Sequence, residues 1–276
     1  MYGMDRVVND DVFVALSTRS DLQSFQFQHT ITAELVSSAE SQQGNQHGEA
    51  QLFPSLDKLV CTATFDGFVR LPPHLRQLTH LEATIMSNGP TSTGSHTFLE
   101  VIPASSPHLR ILKLEYSTTE QALISPGELV HLVQGLPHVQ QLEILGHVRA
   151  PELESDYMSP ITEALPDLRI LHLAFECSLT EAALIELGRK CGSRMTDCEL
   201  WGSYDLQNLE GSGVFFPVLQ DLVLGKLMPP ASDNTDSQAA NAARLVKEMA
   251  PNLSSFAVLT EDSFATLVDT YWAGLA

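Results

Sequence analysis

Basic side chains are scarce in this 276-residue chain: 15 lysines and arginines stand against 34 aspartates and glutamates, a formal net charge of −19. Such a surface repels a phosphate backbone rather than gripping it, which argues against a nucleic-acid partner. Cysteine is rare as well, at four residues with no close pair. That usage fits buried, reduced thiols better than a disulfide framework. No apolar run approaches the roughly 18 residues of a membrane span. The first residues, "MYGMDRVVNDD", have neither the basic start nor the apolar core of a signal peptide. The expectation is a soluble intracellular protein, cytoplasmic or nuclear, with no membrane association.

Recognisable catalytic phrases are missing too. G-x-S-x-G, H-E-x-x-H, G-x-x-x-x-G-K and C-x-x-C do not occur, so no nucleophile elbow, metalloprotease helix, phosphate loop or redox pair is written locally. Gly94, Ser95 and His96 put a hydroxyl beside an imidazole, but a nucleophile and its base are assembled in space, rarely from adjacent residues. Cys177, Cys191 and Cys198 are 14 and 7 residues apart, a spacing that matches no compact zinc knuckle and places each where a small buried residue is wanted. A non-catalytic chain without metal or cofactor is expected.

What the sequence does have is repetition. "LPHVQQLEI" at 136 to 144 returns as "LPDLRILHL" at 165 to 173, and the same phrase is written as "FPSLDKLVC", "SPHLRILKL", "FPVLQDLVL" and "APNLSSFAV". Weaker copies are "DLQSFQF", "QLTHLEA" and "RMTDCEL". The first apolar positions of the nine copies are Leu22, Leu56, Leu78, Leu109, Val139, Leu168, Met195, Leu219 and Leu253, 22 to 34 residues apart. A period in this range is the mark of a stacked array, so one elongated domain spanning 1–276, with about nine irregular repeats, is a better reading than two compact domains.

Each unit reads as strand, turn, helix. In L-x-x-L-x-L the last two apolar residues alternate as in a strand with one buried face. "SPGELVHLVQG" then offers Ser125 and Glu128 as a capping box with Pro126 at the first helical position, and Leu129, Leu132 and Val133 on one face. Ser178 and Glu181 repeat the capping signature ahead of Ala183, Leu184 and Leu187. "DDVFVALSTRSDLQSFQF" reads as a short helix running into a first strand. Three polar stretches, 37–51, 87–96 and 229–241, are rich in Ser, Gly, Asn, Gln or Pro, and are expected to be loops, either solvated linkers or partner-binding, with removal of 37–51 costing little stability.

These residues resemble the leucine-rich-repeat family. The run from Cys177 to Leu200 is similar to the cysteine-containing repeats of F-box proteins, the substrate-recognition subunits of cullin ubiquitin ligases: Cys177, Leu179, Thr180, Glu181, Leu184, Leu187, Met195, Cys198 and Leu200 fall on that pattern. The resemblance implies an α/β solenoid, a horseshoe with a parallel sheet on its concave face and helices on its convex face. The protein would then be an interaction module, either the substrate-recognition part of an F-box-type ligase receptor or a stand-alone scaffold or regulator of another enzyme. Ubiquitin ligase subunits would be partners if an F-box lies upstream. Two features depart from the family. The asparagine or cysteine that ties neighbouring turns is replaced by Thr64, Ser117, His147, Glu176, Ser203 and Leu227, and no F-box of Leu-Pro-x-Glu type opens the chain, which begins as if already inside the array.

The residue between the last two apolar positions should point away from the core. In order these are Gln26, Val60, Glu82, Lys113, Glu143, His172, Glu199, Val223 and Ala257, so the middle five alternate acid, base, acid, imidazole, acid. With parallel strands about 4.8 Å apart, that row is either a ladder of surface ion pairs or a polar recognition strip. The candidate partner-binding residues are Glu82, Lys113, Glu143, His172, Asp197, Glu199 and Trp201, the last as an exposed aromatic anchor. His172 is expected to face solvent, to have its pKa raised by Glu143 and Glu199, and to offer a basic spot to a carboxylate or phosphorylated group.

Overall fold

A computed structural model describes residues 10–47, 51–86, 98–117, 121–229, 235–260 and 262–275. Helix α1 (Asp10–Ser17) leads into β1 (Ser24–Ile31), α2 (Ala33–His47), β2 (Lys58–Thr64), α3 (Phe65–Arg70), β3 (His80–Met86), α4 (Phe98–Ser105) and β4 (Ile111–Ser117). The chain continues through β5 (Ala122–Leu123), α5 (Pro126–Gln134), β6 (Gln141–Glu154), α6 (Met158–Ala164), β7 (Ile170–Ser178) and α7 (Glu181–Lys190). Strands β8 (Asp197–Tyr204) and β9 (Asp221–Leu227), helix α8 (Thr235–Met249), β10 (Ser255–Val258) and α9 (Ser263–Leu275) complete it.

One sheet runs through the described residues in the order β1-β2-β3-β4-β6-β7-β8-β9-β10, with the short β5 beside β6. Every pairing is parallel, as strands joined through helical crossovers must be when each coil turns the same way. The nine strands of this path carry the nine copies of the phrase. This is an α/β repeat solenoid of alternating strands and helices.

Two apolar columns explain the L-x-L part of the phrase. Phe25, Leu59, Leu81, Leu112, Leu142, Leu171, Cys198, Leu222 and Phe256 stand in register across the sheet. Leu59, Leu112, Leu142, Leu171 and Leu222 are each no more than 1% exposed. Two residues on, Phe27, Cys61, Ala83, Leu114, Ile144, Leu173, Leu200, Leu224 and Val258 form the second column. The open ends of such an array have no neighbour to bury them, and aromatic residues supply the cover. Phe13 of α1 packs on Phe25, Phe27 and Phe53 with ring centroids 5.1 to 6.2 Å apart. At the other end Phe256 meets Trp272 of α9 at 5.9 Å.

A backbone ladder runs along the start of the strands. The carbonyls of Gln23, Asp57, Thr79, Arg110, Gln140, Arg169, Thr196 and Gln220 each accept two N–H groups from the start of the next strand, as Thr79 O does from Arg110 N at 2.8 Å and Ile111 N at 3.1 Å. Each coil is thereby tied to the next just before its strand begins. Main-chain groups make these bonds whatever the side chain, so a loose repeat sequence still stacks.

Three expectations about local structure are corrected. Residues 37–47 lie in helix α2, not in a loop: Thr32 Oγ1 accepts from Leu35 N–H at 3.3 Å at the helix start, Val36 and Ala39 are wholly buried, and Glu40 Oε1 lies 2.9 Å from His74 Nε2. Likewise 235–241 open helix α8, with Ala239 buried. The stretch 87–96, including Gly94, Ser95 and His96, lies outside the described residues, as do 48–50 and 230–234. The Ser125 and Glu128 capping box is present on α5. The Ser178 and Glu181 box is not, because β7 extends through Ser178 and the helix cap is Thr180. Ser178 Oγ instead donates to Pro151 O at 2.7 Å.

Candidate functional site: a charged row on the open face of the sheet

The alternation that buries the two columns turns the intervening side chains to the opposite face of the sheet. There Gln26, Val60, Glu82, Lys113, Glu143, His172, Glu199, Val223 and Ala257 are all in register, strand against strand. The expected row therefore exists as a continuous line. Its members differ sharply in how much of them water reaches.

Glu143, at the centre, is buried, with 6% of its surface accessible. Lys113 Nζ donates to its Oε1 at 3.0 Å, the Gln141 side-chain amide donates to the same oxygen, and His172 Nδ1 lies 3.9 Å from Oε2. A carboxylate taken out of water needs such donors to remain charged. Glu143 is thus the hub that positions its neighbours, and little of its surface is open to a partner.

The principal partner of His172 is Asp197, whose Oδ1 lies 3.0 Å from Nε2. In register Asp197 faces Ile170, so it meets the imidazole diagonally. Burial of the ring pulls the His172 pKa down; the hydrogen bond to Asp197 and the charges of Asp197, Glu143 and Glu199 outweigh it, and the net direction is upward. The expected solvent-facing imidazole is corrected: its side chain is only 18% accessible. The expected basic spot is corrected with it, because both ring nitrogens already face carboxylates of this chain.

Trp201 is half-buried rather than exposed. Its Nε1 donates to Glu199 Oε1 at 2.9 Å. Its backbone carbonyl accepts from the Cys177 thiol. Beneath it, Gly202 and Gly225 sit on adjacent strands so close that a Cβ on Gly225 would lie 2.6 Å from Gly202 N.

The expected alternation of charge continues at Glu82, whose side chain is 48% accessible and whose Oε2 is 3.8 Å from His80 Nε2. The His80 pKa is lowered, first by burial and then by Lys58 and Lys113, with Glu82 opposing. Two carboxylates escaped the sequence reading. Glu115 lies two residues beyond Lys113 on the same face and accepts from Thr84 Oγ1 at 3.3 Å, and Asp221 stands in register with Asp197. The same two-residue period that picked out Lys113 would have found Glu115.

The thiols belong to packing. Cys61, Cys191 and Cys198 are buried; burial pushes the Cys61 pKa up to about 12 and that of Cys177, which is only half-buried, up to about 11. Among the described residues no group of His, Cys, Asp and Glu converges to hold a metal, and no helix is long and apolar enough to cross a membrane.

No protein-family model and no curated protein matches the chain. Among solved structures it is similar to a chain in the crystal structure of the yeast Rad7 and Elc1 complex, at 14% identity over 90% of this chain and 72% of that one, with a TM-score of 0.40.

Proposed function

We propose that this chain is a non-catalytic protein-interaction module of leucine-rich-repeat type, taking a lysine- or arginine-bearing segment of a partner protein across the open face of the sheet, the concave side of a horseshoe. The observation that carries the reading is the fate of the charges. Lys113 and His172 are engaged by Glu143 and Asp197, whereas Glu82, Glu115 and Asp221 leave carboxylate surface for an incoming cation. A positive segment is therefore complementary and a negative one is not. Trp201, fixed by Glu199, offers a ring flank beside that surface.

Peptides of equal length, one rich in lysine and arginine, one acidic and one neutral, distinguish the possibilities when titrated by fluorescence anisotropy. The basic peptide should bind, should weaken as salt is raised, and should lose affinity for Glu82→Lys and Asp221→Lys proteins. Equal binding of the acidic peptide would sink the reading. The resemblance of residues 177 to 200 to F-box repeats supports the finer form, the substrate-recognition part of an F-box-type ubiquitin ligase receptor. An in-frame Leu-Pro-x-Glu segment upstream in the gene, with adaptor binding by the longer product, tests it; without these the stand-alone scaffold is the better reading.

A further inference from the structure

A second polar surface lies at the end of the sheet where the strands begin. Thr79, Arg110 and Gln140 immediately precede β3, β4 and β6, and with His108, His138 and Asp167 they line an open cleft of about 380 Å³. The repeat builds it. "PHLR" at 107, "PHVQ" at 137 and "PDLR" at 166 occupy one place in three successive coils. Stacking therefore sets His108, His138 and Asp167 in one line and Arg110 and Gln140 in another. The backbone ladder fixes their spacing through Arg110 N to Thr79 O and Gln140 N to Arg110 O, both 2.8 Å.

The polar side chains that line this cleft are mostly unspent. Among the described residues, His108, Arg110, His138, Gln140 and Asp167 have no side-chain hydrogen-bond or ion-pair partner. His108, His138 and Asp167 do not converge as a metal group. A guanidinium fork, two imidazoles and an amide line the same cleft, and each can donate to an anion seated there.

We infer that this cleft binds a phosphate monoester carried on a protein segment, such as a phosphoserine. Arg110 takes two phosphate oxygens through its fork, His108 and His138 donate from the neighbouring line, and Asp167 at the margin accepts a backbone N–H or hydroxyl of the ligand. The volume admits the phosphorylated side chain with part of its flanking backbone. A nucleic-acid strand has the same phosphate chemistry, but it is a polyanion that would meet the field of a chain with net charge −19. A single phosphate on an otherwise neutral or basic segment does not incur that repulsion.

The test uses one short fluorescein-labelled peptide with neutral flanking residues in three forms, with phosphoserine, serine or glutamate at the centre, and an oligouridine of matched length. The phosphoserine peptide should bind saturably and the other three should not. Arg110→Gln, and separately the double variant His108→Ala/His138→Ala, should each weaken it at least about tenfold, as loss of charge-assisted hydrogen bonds entails. Glu82→Gln/Glu199→Gln should leave it unchanged, which separates this site from the open face: failure of one reading leaves the other standing. Thermal melts check folding of each variant, and should Arg110→Gln misfold, the double histidine variant decides. Absence of saturable binding, equal binding of the serine or glutamate peptide, indifference to both cleft variants, or tighter binding of oligouridine each overturns the inference.

Discussion

His172 Nε2 on β7 lies 3.0 Å from Asp197 Oδ1 on β8, although the register places Glu199, not Asp197, directly opposite His172. Glu199 instead accepts the Trp201 indole N–H. Chemical-shift titration of His172 should therefore give a raised pKa that Asp197→Asn lowers most, Glu143→Gln less and Glu199→Gln least. With the folded pKa above the unfolded value, the imidazolium contributes stability in full below the unfolded pKa, and the contribution is lost as pH rises through the folded value. The charged groups around the ring are Glu143 on β6 and Asp197 and Glu199 on β8, with Lys113 beyond Glu143. A larger drop for Glu199→Gln than for Asp197→Asn would contradict the geometry.

The pair of Lys113 and Glu143 is asymmetric, since Glu143 is buried while the Lys113 side chain keeps 32% of its surface in water. Lys113→Met should be the costlier change, about 1 to 3 kcal/mol, because it strips a donor from a buried carboxylate. Glu143→Met leaves an ammonium that water can still solvate. The double variant should recover part of the loss, as apolar replacement of a buried pair often does. Denaturant midpoints for the four proteins give the coupling; a costlier Glu143→Met would reverse the assignment of which partner is desolvated.

The fold was legible because L-x-x-L-x-L encodes both the strand period and the register: the same phrase stacked on itself must place Glu82, Lys113, Glu143, His172 and Glu199 in one row. The hydrogen bonds within that row were not legible. Register fixes Cα partners, whereas Asp197 reaches His172 by side-chain length. Helix α2 was hidden by composition, since a run rich in Ser and Gln reads as loop. Its signal was Thr32 followed by Leu35, Val36 and Ala39 at helical spacing. The Ser178 cap failed for another local reason: β7 runs on through Ser178, so that side chain belongs to a strand and bonds to Pro151.

That correction changes what is expected of the 37–51 segment. Ala39 is fully buried, Arg70 reaches the Ser37 hydroxyl at 2.5 Å, and Glu40 holds His74. Ala39→Glu should lower the melting temperature about as much as Leu171→Ala, a truncation of a wholly buried leucine that costs about 2 to 5 kcal/mol. Calorimetry of the two variants compares them directly. A melt unchanged by Ala39→Glu would return the segment to the status of a loop.

Gly146, in the middle of the long strand β6, has φ of +91°, and a Cβ there would lie 2.4 Å from Tyr116 O on β4. The position is thus closed to other residues twice over, by its own backbone angle and by the neighbouring coil. Strain in a left-handed position alone costs about 1 to 3 kcal/mol, and the contact adds to it because a backbone carbonyl cannot rotate away. Gly146→Ala should therefore destabilise by more than Gly127→Ala, where an added Cβ meets nothing within 4 Å and α5 gains helix propensity. The loss should also spread, since Tyr116 belongs to the preceding coil and each coil leans on the next. Hydrogen exchange read strand by strand checks this: protection should fall in β4 and β6 together in Gly146→Ala. Loss confined to β6 would show that the close approach of the two coils is not what the glycine is there to permit.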